Sequence, residues 1–99
     1  MREWKRYSVY QIRENAPDRS DKIFKPYNWI EHKFGKVNMD DYECIYTGEW
    51  WIENLDSVFT LCNTNPRPVG YKGHSLSVSD VVELDGKLFY CDVFGWKEI

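Results

Sequence analysis

Asp85-Gly86 constrains this chain more than any other pair of residues in it. It separates two apolar runs, Val81-Val82-Glu83-Leu84 and Lys87-Leu88-Phe89-Tyr90-Cys91. A two-residue hairpin loop takes a type I′ turn, which needs positive φ at both positions, and Asp-Gly supplies this readily. The turn sets the register: Leu84 opposite Lys87, Val82 opposite Phe89, Asp80 opposite Cys91, and Val81 paired with Tyr90 on the other face. Apolar residues stand on both faces, so the hairpin has to be covered on more than one side. Gly95 breaks the return strand, and Trp96-Lys97-Glu98-Ile99 reads as a last short strand.

Upstream, residues 6–13 carry strand formers, with Tyr7, Val9 and Gln11 alternating against Ser8, Tyr10 and Ile12. A polar loop follows. Ile23, Tyr27, Ile30 and Phe34 then repeat at helical spacing between Pro26, tolerated in a first turn, and Gly35, suited to a C-terminal cap. The spacing predicts a short helix over residues 27–34. Residues 42–47 alternate again, with Tyr42, Cys44 and Tyr46 on one side, and Gly48 is expected to stop that strand. Residues 52–63 give the clearest helical pattern, with Ile52, Leu55, Val58, Phe59 and Cys62 on one face. Trp50 and Trp51 stand near its expected start, where no Ser, Thr, Asp or Asn occupies the N-cap. Glu49, Glu53 and Asp56 place negative charge near the positive end of its dipole. Residues 63–70 are the strongest cluster of helix and strand breakers. The expected fold is α+β: one domain with a small, mostly antiparallel sheet of about five short strands, one main helix and one shorter helix.

Composition excludes more functions than it suggests. Five Trp, seven Tyr and five Phe make the chain 17% aromatic. Each such ring buries roughly 150–250 Å², so a few fill a small core and the others are free to form a recognition surface. The net charge of −3, from 13 basic and 16 acidic residues spread along the chain, argues against a duplex-DNA binder. No stretch approaches the roughly 20 apolar residues of a membrane span. No apolar run follows Met1-Arg2-Glu3-Trp4-Lys5-Arg6, so neither a signal peptide nor a membrane is expected. Cys44, Cys62 and Cys91 are odd in number and widely spaced, each inside an apolar segment. They match neither a zinc site nor a disulfide framework and are expected to be buried, reduced thiols in a cytoplasmic protein. No metal or cofactor is expected.

The candidate functional residues gather in Gly73-His74-Ser75-Leu76-Ser77-Val78-Ser79-Asp80-Val81-Val82. In a structural role, Gly73 permits a tight turn, Ser75, Ser77 and Ser79 satisfy backbone groups, and Asp80 accepts from the loop's own amides. In an enzymatic role, His74 is a general base, a nearby serine the nucleophile and Asp80 the group that orients the imidazole, as in a hydrolase. That role requires convergence of neighbours that seldom converge. Trp50, Trp51 and Trp96 are the candidates for a protein-binding surface, because Trp and Tyr dominate interface hot spots. Arg67, Lys72 and Lys87 near Tyr71 offer a second possibility, single-stranded nucleic acid, which the acidic balance disfavours. A protein partner is the leading expectation.

The same motif, with the hairpin, Tyr90-Cys91-Asp92 and Phe94-Gly95-Trp96, resembles the YodL-like domain family. Tyr7-Ser8-Val9-Tyr10-Gln11-Ile12 resembles that family's opening strand, and Tyr42 to Tyr46 with the helix carrying Leu55 and Phe59 resembles its middle. The resemblance covers most of the chain. It implies a domain found in proteins of gut Firmicutes, often on conjugative or other mobile elements and often appended to larger proteins. It implies no established activity. The expectation drawn from it is a non-catalytic interaction module of mobile-element origin.

Overall fold

The structure is a computed structural model that describes residues 1–99. Along the chain run β1 (Glu3–Ile12), α1 (Tyr27–Phe34), β2 (Tyr42–Ile52), α2 (Leu55–Asn63), β3 (Val81–Leu84), β4 (Lys87–Cys91) and β5 (Trp96–Glu98). The strands form one five-stranded sheet in the order β2-β1-β3-β4-β5, antiparallel at every pairing. The fold is therefore a small α+β fold, as the sequence patterning implies. No helix is long and apolar enough to cross a membrane.

The Asp85-Gly86 turn has φ of 56° and 76°, and β3 and β4 pair in the register that a two-residue loop dictates. The ladder runs one step further: the Cys91 amide donates to the Asp80 carbonyl at 2.8 Å, and the Ser79 amide to the Cys91 carbonyl at 2.9 Å. Val82 and Leu84 join Tyr7, Val9, Ile52, Val58 and Cys62 in a core under α2. Val81 and Tyr90 join Ile12, Ile30 and Tyr42 in a second core under α1. Successive residues on a strand face opposite ways, so the Val81-Val82 pair feeds one side chain into each core.

Strand β2 departs from the alternation read in its sequence. Val9 pairs with Tyr46 but Tyr10 pairs with Cys44, which leaves Ile45 as an extra residue in β2. Because side chains alternate with a period of two, one extra residue reverses the facing of everything beyond it. Tyr46 and Ile45 consequently pack on the α2 core, and Tyr42 enters the α1 core. The strand also does not stop at Gly48, which pairs with Tyr7 and leaves space for the Tyr46 ring; a Cβ there would collide with that ring. Cys44, expected inside, is exposed on this edge strand.

Continuation of β2 to Ile52 moves the main helix. Trp50 and Trp51 belong to the strand, and α2 begins at Leu55, three residues later than the apolar pattern suggests. Its N-cap is Asn54, which sequence reading had placed on the helix. The Asn54 Oδ1 accepts from the Ser57 amide at 3.1 Å, and the Ser57 hydroxyl accepts from the Asn54 amide at 3.4 Å, a capping box. Val58 and Cys62 are buried beneath it, whereas Phe59, assigned to the same face, is 40% exposed. Helix α1 lies where its spacing predicts, ended by Gly35 at φ 86°. Its first amide, on Tyr27, is capped from far along the chain by the Asp92 carboxylate at 3.1 Å. Replacing Asn54 with Ala removes one half of the box and should cost about 1 kcal/mol of stability. Urea unfolding of Asn54→Ala beside the wild type would check this, and an unchanged midpoint would contradict it.

Candidate functional site

The loop from Gly73 to Asp80 is where the elements meet. Its first residue has φ 98°, and a Cβ there would strike the side chain of Gln11 on β1. The Tyr71 hydroxyl donates to the His74 carbonyl at 2.9 Å, and Asn63, the last residue of α2, donates to the Leu76 carbonyl at 3.1 Å. Ser79 is fully buried and holds φ 86°, a costly conformation for a residue with a Cβ. Three hydrogen bonds fix it there. Its amide reaches Cys91, its hydroxyl accepts from the Phe24 amide at 2.9 Å, and its carbonyl accepts from the Tyr42 hydroxyl at 2.6 Å.

Asp80, 1% exposed, is the polar centre of the loop. Its Oδ2 accepts from the Ser77 amide at 2.8 Å and from Gln11 Nε2 at 3.1 Å. Gln11 Nε2 also lies 2.8 Å from the His74 carbonyl, so both of its protons are used. His74 Nδ1 stands 2.7 Å from the Ser75 carbonyl, an oxygen that can only accept. That nitrogen therefore carries the proton and donates to Ser75. The 3.3 Å approach of Gln11 Nε2 to the same nitrogen is then a contact between two donors.

This arrangement does not build a Ser-His-Asp relay. The imidazole gives its Nδ1 proton to a backbone carbonyl, and Asp80 Oδ2 lies 3.9 Å away, beyond hydrogen-bond reach. The Ser77 hydroxyl donates to the Ser75 carbonyl at 2.9 Å, and the Ser79 hydroxyl is sealed against Phe24. Burial pushes the Cys91 and Cys62 thiols up to about 12, with Asp80 adding to the effect, so neither is a ready thiolate at neutral pH. No three His, Cys, Asp or Glu side chains stand close enough to share a metal ion.

Trp50 and Trp51 lie elsewhere. Strand β3 pairs with β1 only from Tyr7 to Tyr10, so Glu3 to Arg6 and their partners on β2 overhang the sheet as a two-stranded ribbon. On it Trp4, Trp50 and Trp51 are 52%, 48% and 51% exposed. Their rings cluster, with Trp4 centred 5.3 Å from Trp51 and 6.2 Å from Trp50. A cleft of about 270 Å³ runs between Trp50, Trp51 and the first turns of α2. Trp96 is half-buried against the α2 core and donates to Asp56 at 3.4 Å, so it belongs to packing. The Lys25 and Lys33 ammonium groups each lie 5.5 Å from the centre of the Trp29 ring. Arg67 covers the Tyr71 ring at 5.8 Å, and Lys87 sits at the hairpin turn beside Leu84, away from both.

Ser79 satisfies a backbone group as its residue type implies, whereas the roles of Gln11 and Tyr42 are not evident from residue type. Gln11 carried a signal, since it is the polar member of the row Tyr7, Val9, Gln11 on an otherwise apolar strand face. The reach of the Tyr42 hydroxyl to Ser79 carried none, because it depends on the bulge.

Fold and loop together define a small α+β domain whose sheet is tied through a buried carboxylate. The chain belongs to the YodL-like domain family, whose model matches residues 6–99. Neither the curated proteins nor the solved structures offer a match to it.

Burial raises the Asp80 carboxyl from 3.8 to about 7, although the Ser77 amide and Gln11 pull it down. The folded protein thus holds this proton more tightly than the unfolded chain. Stability that is present below the unfolded value is lost as pH rises through the folded one, by up to roughly 4 kcal/mol from this group. The difference in unfolding free energy between wild type and Asp80→Asn should therefore shift against the wild type between pH 4 and about 7. Parallel pH profiles for the two proteins would refute this assignment.

Proposed function

We propose that this chain is a non-catalytic protein-interaction module of mobile-element origin, and that the β1–β2 ribbon is its binding surface. One observation carries the reading: three tryptophans, each about half exposed, cluster on a ribbon that projects beyond the sheet. Exposed aromatic clusters of this kind are expensive to leave in water and dominate binding when a partner desolvates them. Strand β2 is an edge of the sheet, so its outward backbone groups can accept an added strand alongside the rings. The mobile-element part is carried only by the resemblance, which implies that such domains often occur on mobile elements.

Single-stranded nucleic acid is the lesser reading. The net charge of −3 opposes it, and Arg67 already occupies the Tyr71 ring on which a base would stack. An enzymatic reading lacks support because the Ser77 and Ser79 hydroxyls and His74 Nδ1 are bonded to backbone groups and Asp80 does not reach the imidazole.

Affinity capture from the native host, with wild type beside the Trp50→Ala/Trp51→Ala variant, tests the proposal. A hot-spot tryptophan is worth 2 kcal/mol or more, so the partner should bind the variant about thirtyfold more weakly or worse. Circular dichroism of the variant keeps loss of fold from being mistaken for loss of binding. Equal capture by both proteins, or nothing above background with either, would overturn the reading.

A further inference from the structure

A cavity of about 310 Å³ lies between the start of the Gly73–Asp80 loop and the 3-10 turn at Arg19–Asp21. The segment just after that turn is held against the loop by the Phe24 amide on the Ser79 hydroxyl and by edge-to-face contact of Phe24 with the His74 ring at 5.5 Å. Gln11, Arg19, Lys72, Gly73 and His74 are among the residues that line the cavity. Its size is at the lower end for small-molecule sites, which run from roughly 300 to 1,000 Å³.

Several donors around this cavity are left without an acceptor. Arg19 Nε is buried and has no hydrogen-bond partner. Arg19 and Lys72 take part in none of the ion pairs. The Gly73 and His74 amides make no backbone hydrogen bond. A buried guanidinium N–H without an acceptor is among the least tolerable groups in a protein interior, and a carboxylate is the acceptor whose geometry fits its fork. Gly73 keeps this wall open, since a side chain there would collide with Gln11.

We propose that this cavity binds a carboxylate, with the Arg19 guanidinium as the anchoring donor and the Gly73 and His74 amides beside it. Glu14 and Glu43 also line the cavity. With Arg19 and Lys72 they leave the lining near neutral, so the buried Arg19 donor rather than net charge selects the ligand, and a monoanion costs less to desolvate there than a phosphate dianion. The carboxylate has two possible sources, a free small acid or the C-terminus of a peptide. The site is separate from the tryptophan ribbon and stands or falls without it.

The test is an NMR titration of the labelled full chain at constant ionic strength with sodium acetate, N-acetylglycine, inorganic phosphate and sodium chloride. The readouts are the Arg19 Nε–H and the Gly73 and His74 amide signals. Saturable shifts with acetate or N-acetylglycine are expected, weakened roughly tenfold or more in Arg19→Gln. Arg19→Lys should fall between, because it keeps the charge without the fork, and it serves if the Gln variant fails to fold. Tighter binding of N-acetylglycine than of acetate assigns a peptide C-terminus, and equal binding assigns a free acid. Shifts no larger than those with chloride, or shifts unchanged by both substitutions, would overturn the proposal. Phosphate binding as tight as either carboxylate would overturn the choice of ligand.

Discussion

A carboxylate sealed away from water has to be surrounded by donors, and Asp80 organises this fold by collecting them. Its side chain accepts one hydrogen bond from the Ser77 amide and one from Gln11, while its backbone carbonyl accepts a third from the Cys91 amide. Those partners sit on the loop itself, on β1 and on β4. No lysine or arginine pairs with the group, and the nearest imidazole nitrogen, His74 Nδ1, stands 3.9 Å away. The penalty of burying it is therefore expressed as a raised affinity for a proton rather than removed by an ion pair. Neighbouring Ser79 meets the same demand with backbone, held in a left-handed conformation by hydrogen bonds from three directions. Loop, sheet and α1 side are thus fixed by the polar contacts of two consecutive buried residues.

The loop and the ribbon divide the chemistry of the chain between them. In the loop, the Ser77 and Ser79 hydroxyls and His74 Nδ1 are engaged by backbone groups. On the ribbon the situation is reversed. The tryptophans add little to either core, and what they offer is exposed aromatic area at low cost in conformational freedom. A rigid frame that spends its hydroxyls inward and turns its indoles outward is suited to recognition.

Much of the frame is written locally in the sequence. The Asp85-Gly86 turn, the register of the hairpin, the bounds of α1 and the small last strand follow from turn chemistry and apolar spacing over a few residues. What was not legible depends on residues far apart. Gly48 reads as a stop because glycine is a poor strand former, yet it is retained by the Tyr46 ring lying over it. Trp50 and Trp51 then run on as strand, since β1 is long enough to pair with them. Asn54 was overlooked as a cap for the same reason: an apolar period that begins at Ile52 hides a strand end inside a helical pattern. The candidate loop was legible as a place, but the partners that define it, Gln11 and Tyr42, lie on strands tens of residues upstream.

The bulge at Ile45 ties these observations to the length of the chain. Tyr46 has to face one side of the sheet to cover Gly48, and Tyr42 has to face the other to reach the Ser79 carbonyl. In regular alternation two residues separated by an even interval face the same way, so an unbulged strand satisfies one tyrosine or the other. Deletion of the bulged residue would leave an odd interval and keep the two tyrosines on opposite faces, whereas flattening the bulge at the present length would turn Tyr42 away and leave a buried carbonyl bare. The facing of the strand is thus set by the bulge as much as by which residues stand between Tyr42 and Tyr46.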